Sequence, residues 1–163
     1  MRIQDIGAAI RKARLDRGWT QARLAREAGL SRETLNLLEN GLAKDLGVRK
    51  VLALFARLGL DVAVQPRPGG PDYVRMASTA ASVSYRSVLQ EEELIRSLLT
   101  GKVPRGKEAH IRTLLDEAPS ALLDGLAAEA ARWSTRARLE RNLLRLAEAT
   151  GASRKVSEWL KTG

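Results

Sequence analysis

The segment LSRETLNLLENG, residues 30–41, sets Ser31, Arg32, Glu33, Thr34, Asn36 and Asn40 around a stripe of leucines. A solvated helix face is usually filled with Lys, Glu and Gln. Here a guanidinium, a carboxylate, hydroxyls and amides crowd into ten residues. Such a mixture of forks, donors and acceptors suits a partner that presents a pattern of its own, as DNA base edges do in the major groove. Groups for bond-making chemistry are scarce by comparison. There is no cysteine and a single histidine, His110. Thiol nucleophiles, thiolate metal sites and histidine pairs are therefore excluded. TGKVPRGK, residues 100–107, lacks the spaced glycines and the Ser/Thr of a phosphate-cradling loop. EEE at 91–93 reads as a helix start that favours the helix dipole. His110 is expected at the surface or half buried on a helix. The chain is expected not to be an enzyme and to need no cofactor or metal.

The elements that position these residues follow from periodicity and punctuation. Ile3, Ile6, Ile10 and Ala13 form one helical stripe, closed by Gly18. Thr20 caps a second helix with Leu24 and Ala28 inward, and Ser31 caps a third with Leu35 and Leu38 inward and Gly41 as its stop. Asp45 is expected to cap a fourth, with Val48, Val51, Leu52 and Phe55 inward and Gly59 ending it. Only AGLS separates the second helix from the third. Ala25 permits their close approach, and Gly29 supplies the positive φ of the turn. This is a helix-turn-helix whose second helix would enter the major groove. Next, LDVAV alternates in the manner of a strand, placing Asp61, Val62, Ala63 and Val64 in a short β-segment. A lone strand has unpaired backbone groups. Pairing with the same strand of a second copy would satisfy them and predicts a two-fold dimer; an extended tail is the alternative.

The segment W-T-Q-A-x-L-A-x-x-A-G-L-S-x-x-T-L-x-x-L-E-N-G resembles the Xre family, the lambda-Cro and phage-repressor type of DNA-binding domain. LENGLAKDLGVRKVLALFARLGLDVAV further resembles HipB-type antitoxin-regulators. The resemblance implies that Gln21, with Thr20 at the same helix start, meets a phosphate. It implies that Ser31, Arg32, Glu33, Thr34 and Leu37 lie at the base-reading end of the third helix. Arg32 would pair with guanine and Glu33 would accept from cytosine. Leu37, where the family often has a polar residue, would touch a thymine methyl. Asn36, Asn40, Lys44, Arg49 and Lys50 would face the DNA backbone. Arg14 and Glu39 match a structural ion pair joining the first and third helices. The implied protein is a dimeric repressor of a palindromic operator and an antitoxin that neutralises a neighbouring gene's toxin. A kinase and a nucleotidyltransferase are both open as the toxin. The other reading is an ordinary Xre-type regulator whose C-terminal half senses a small molecule.

Composition agrees with an all-α chain rich in Leu, Ala, Arg and Glu. The net charge is +9 over 163 residues. Residues 1–71 hold +6 of it (13 basic, 7 acidic) and 72–163 hold +3 (15 basic, 12 acidic). Such a balance suits a phosphate backbone. No apolar run approaches the ~20 residues of a membrane span. The charged N-terminus does not read as a secretory signal, so a cytoplasmic setting is expected. The Pro/Gly linker at 66–71 separates a DNA-binding domain, 1–65, from a helical domain, 72–163, for partner binding or oligomerisation. DYVRMASTAASVSYRS, residues 72–87, reads equally as loop, helix or strand. Further helices are expected near 88–99, 106–118, 119–133, 135–150 and 153–161. In the fourth of these, Arg138, Arg141 and Arg145 form a basic stripe opposite Leu139, Leu143 and Leu146, a contact for an acidic partner or DNA. Trp133 and Trp159 are expected as core or interface anchors.

Overall fold

The structure, a computed structural model, describes residues 2–43, 45–62 and 70–158. Lys44, Ala63, Val64 and Trp159 lie outside the described residues. The chain divides into two units, Met1–Pro68 and Gly69–Gly163.

The first unit holds α1 (Ile3–Asp16), α2 (Gln21–Glu27), α3 (Arg32–Glu39) and α4 (Val48–Arg57). Thr20 caps α2, its hydroxyl accepting from the Arg23 amide at 3.1 Å, and Ser31 caps α3 by accepting from the Thr34 amide at 3.0 Å. Gly29 turns the chain between them at φ +65°. Ile10, Leu24, Leu35, Leu38, Leu54 and Leu58 are fully buried and form the core. α1 crosses α3 at Gly7, where a Cβ would lie 2.0 Å from the Leu38 carbonyl oxygen. Three residues earlier on α1, the buried Gln4 amide donates to the Gly41 carbonyl at 3.1 Å. It thereby satisfies backbone just beyond the end of α3, where helical partners run out.

Two expectations for α4 are corrected. Gly47, not Asp45, occupies its N-cap, with no side-chain cap. Val48 and Leu52 face solvent, whereas Leu54, Phe55 and Leu58 are buried and Val51 partly so. Positions 48, 51, 52, 54, 55 and 58 are all apolar, so two overlapping stripes were available. The 51–54–55–58 set has the i, i+3, i+4, i+7 spacing and takes the core. The expected strand is also not borne out: Asp61 and Val62 are in no strand, and no strand occurs among the described residues. A β-segment exists only through a ladder partner, and the described part of one chain offers none.

The second unit contains α5 (Tyr73–Ser82), α6 (Glu91–Thr100), α7 (Glu108–Glu117), α8 (Ser120–Ala131), α9 (Arg136–Thr150) and a 3₁₀ turn at Val156–Glu158. The ambiguous segment is thus a helix, capped by Asp72, whose carboxylate accepts from the Arg75 amide at 3.1 Å. α5 packs on α6, α7 and α8, while α9 lies against α6, α7 and α8. Leu139, Leu143 and Leu146 are buried, as is Trp133. Gly125 lets α8 meet α5 closely; a Cβ there would lie 2.2 Å from the Tyr73 ring. Buried Asn142 donates to the Leu98 carbonyl at 2.9 Å, tying α9 to the end of α6. Asp116 accepts from the Ser153 and Arg154 amides at 2.7 and 2.9 Å. Donation from Arg154 is the main reason its carboxyl sits below the usual range. No helix of the described residues is long and apolar enough to cross a membrane.

Gly7→Ala should destabilise the first unit by roughly 1–3 kcal/mol, the usual range for overpacking a close contact, because the obstacle is backbone. Urea unfolding followed by circular dichroism tests this. A variant as stable as the wild type would mean that α1 and α3 are not in the contact described.

Candidate nucleic-acid interface

The short α2 and α3 are held by a buried ion pair. Arg14 on α1 donates to Glu39 on α3 through Nε at 2.6 Å and Nη2 at 2.8 Å. Both residues are buried, and the fork geometry satisfies two donors with two oxygens. The Glu39 carboxylate raises the Arg14 pKa further above its already high value through that hydrogen bond. Arg14 Nη1 also donates to the Trp19 carbonyl at 2.7 Å, fixing the turn into α2. Trp19 packs on the core, and the Arg23 guanidinium stacks over its ring at 4.3 Å.

Gln21, the first residue of α2, joins this network. Its Nε2 donates to Glu39 Oε2 at 2.9 Å. The amide expected to meet a phosphate is therefore held from inside the protein by Glu39. Arg14, Thr20, Gln21, Ala22 and Arg32 border an open hollow of about 500 Å³. It brings the start of α2 beside the start of α3 and unites three of the residues expected at DNA, Thr20, Gln21 and Arg32, with Arg14 of the ion pair.

Along α3, Arg32, Glu33, Asn36 and Leu37 are exposed, with Leu37 at 41 %. Their opposite neighbours, Leu35 and Leu38, are buried. Thr34 is half buried and shares a 2.8 Å hydroxyl–hydroxyl bond with Ser31, so both serve the cap. The Asn40 amide donates to the Asn36 carbonyl at 2.7 Å and to its side-chain oxygen at 2.6 Å. This pair orders the last turn. Arg49 and Lys50 are exposed on the first turn of α4 and do not border the hollow. Sequence reasoning missed Gln4 and Gly7. A glycine inside a periodic helix was the available signal for the second.

In the second unit, Arg141 and Arg145 are exposed on α9 and Arg138 is half buried. Arg145 is not simply solvated: its Cδ lies 3.2 Å from where a Gly101 Cβ would stand. His110 departs from expectation, for it is buried at 3 % exposure. Its Nε2 lies 2.7 Å from the Ser87 carbonyl, and its ring stacks on Tyr85 at 4.2 Å. Both contacts pin the 83–90 loop to α7. No metal-ligand cluster is present among the described residues.

Residues 10–65 match the helix-turn-helix family model, HTH_3. That segment is a helix-turn-helix domain of the Xre type, the class of fold on which DNA-binding transcription regulators are built. No curated protein and no solved structure matches the chain significantly.

Glu39→Ala would leave the buried Arg14 charge unpaired and should cost about 3–5 kcal/mol. Gln21→Ala should cost less, about 1.5–3 kcal/mol, since it removes one hydrogen bond to a charged group and leaves the ion pair in place. Denaturant midpoints measure both. Equal losses from the two variants would contradict the hierarchy drawn here.

Proposed function

We propose that the chain is a sequence-specific, DNA-binding transcriptional repressor that binds a palindromic operator as a homodimer and also acts as the antitoxin of a toxin–antitoxin pair. One observation carries the DNA-binding part. The capped α3 exposes Arg32, Glu33, Asn36 and Leu37 on one face, beside the hollow where Thr20, Gln21 and Arg32 meet. In this reading α3 lies in the major groove. Arg32, Glu33 and Leu37 meet base edges, with Ser31 and Thr34 holding the helix start. Thr20, Gln21, Asn36, Asn40, Lys44, Arg49 and Lys50 position the backbone. A two-fold dimer sets two such helices about one DNA turn apart. Pairing of the 61–64 segments between copies belongs to the same reading.

The antitoxin part rests on the resemblance of residues 38–64 to HipB-type regulators. The second unit, with Arg138, Arg141 and Arg145 along α9, is assigned to the toxin, a protein from a neighbouring gene. The void among Leu94, Leu98, Ile111, Leu123 and their neighbours is only about 10 Å³, with apolar walls, so this point of the core has room for one water at most.

Expression of the neighbouring reading frame, alone and with this chain, tests the antitoxin role: growth arrest relieved by co-expression is expected. A harmless neighbour leaves only the repressor. DNA reading is tested on the region upstream of its own gene. Arg32→Ala should lose about 1–3 kcal/mol and relax one base position, whereas Lys50→Ala should weaken all sequences alike and reduce the salt slope by about 1. Normal binding by Arg32→Ala would remove α3 as the reading helix.

A further inference from the structure

Asparagine carries an acceptor and a donor on one planar amide and usually offers either. On α3 one such amide has its polarity fixed. Asn40, at the C-cap, sets its Nδ2 2.7 Å from the Asn36 backbone carbonyl and 2.6 Å from the Asn36 side-chain oxygen. A carbonyl can only accept, so the Asn40 atom beside it must be the nitrogen. A nitrogen there in turn needs the oxygen of Asn36, since two amide nitrogens at that distance would set donor against donor. The chain of bonds starts at backbone, and neither amide can flip without breaking it. The Asn40 backbone amide, 3.1 Å from the same carbonyl, closes the clasp.

Asn36 is exposed and follows Arg32 by four residues, which places the two on one row of the helix. With Oδ1 held by Asn40, the arm that Asn36 offers to a partner is Nδ2 with its two hydrogens. Arg32 likewise has donors only, while the neighbouring Glu33 carboxylate has acceptors only. We propose that Asn40 locks Asn36 into a donor-only role, so that Asn36 meets a hydrogen-bond acceptor on the DNA rather than the paired donor and acceptor of adenine. The inference rests on the reading of α3 above and fixes the polarity of one of its contacts. Bidentate pairing with adenine needs Oδ1 to accept from N6 while Nδ2 donates to N7. Here Oδ1 would have to surrender or share its 2.6 Å bond to Asn40. The acceptors that suit are a phosphate oxygen, or guanine O6 and N7 or thymine O4 on a base edge.

Binding of the full chain to duplexes from the region upstream of its own gene tests the proposal. Each base pair of the footprinted site is substituted in turn, and thermal melts confirm folding. Asn36→Ala should weaken binding roughly 3–10-fold for a base acceptor, and more for a charged phosphate. A phosphate acceptor gives the same loss on every duplex with the salt slope unchanged, since a neutral amide releases no counterion. A base acceptor gives a loss confined to duplexes with guanine or thymine at one pair. In an Asn40→Ala background the same substitution should cost less, because Asn36 is no longer held. Three results overturn the proposal: wild-type affinity in Asn36→Ala, a preference for adenine that Asn36→Ala abolishes, or an equal cost in both backgrounds. If Arg32→Ala also binds normally, the reading of α3 falls as well. If Arg32→Ala loses its base preference while Asn36→Ala changes nothing, only the donor assignment falls.

Discussion

The first unit turns on one buried charge pair. Arg14 and Glu39 sit on α1 and α3, and the same two side chains reach the Trp19 carbonyl and the Gln21 amide. α2 and α3 are only seven and eight residues long. Helices that short do not hold themselves in water, and their geometry must come from neighbours. Hydrophobic contacts from Leu24, Leu35 and Leu38 draw them together without choosing an angle. The ion pair chooses it, because a guanidinium fork accepts a carboxylate in one plane only. The start of α2 and the exposed face of α3 therefore hold a fixed relation.

Much of this was legible in the sequence. Thr20 and Ser31 stand at the two caps, and Gly18, Gly29 and Gly41 all adopt the positive φ that their positions implied. These signals are local, so a single chain segment carries them. The face of α4 was not legible, because six apolar positions serve two stripes and only docking against α1 to α3 decides between them. The α5 helix was ambiguous for another reason. Its Ser/Ala composition has little periodicity, and the one clear sign was Asp72 three residues ahead of Arg75. The burial of His110 lay beyond reach as well, since the aromatic partner that covers it is 25 residues away in sequence.

The second unit is joined by a different device. Its helices meet through leucines and alanines, which interdigitate but do not fix register. Directional bonds do that at the ends: Asn142 to the Leu98 carbonyl, Arg154 to the Ala118 carbonyl at 2.7 Å, and Asp116 to two amides near the 3₁₀ turn. Each satisfies backbone that a helix end leaves unpaired. The exposed side of α9, carrying Arg141 and Arg145, is thus borne on a helix tied at its middle through Asn142 and just beyond its C-terminal end through Ser153 and Arg154.

The missing side chain at Gly7 has a consequence for spacing. With no atoms between them, the α1 backbone and the Leu38 carbonyl leave no clearance for α3 to tilt or slide. Any larger residue at position 7 would have to push the two helices apart, so the spacing of α1 and α3 is set by the absence of a side chain rather than by the fit of one.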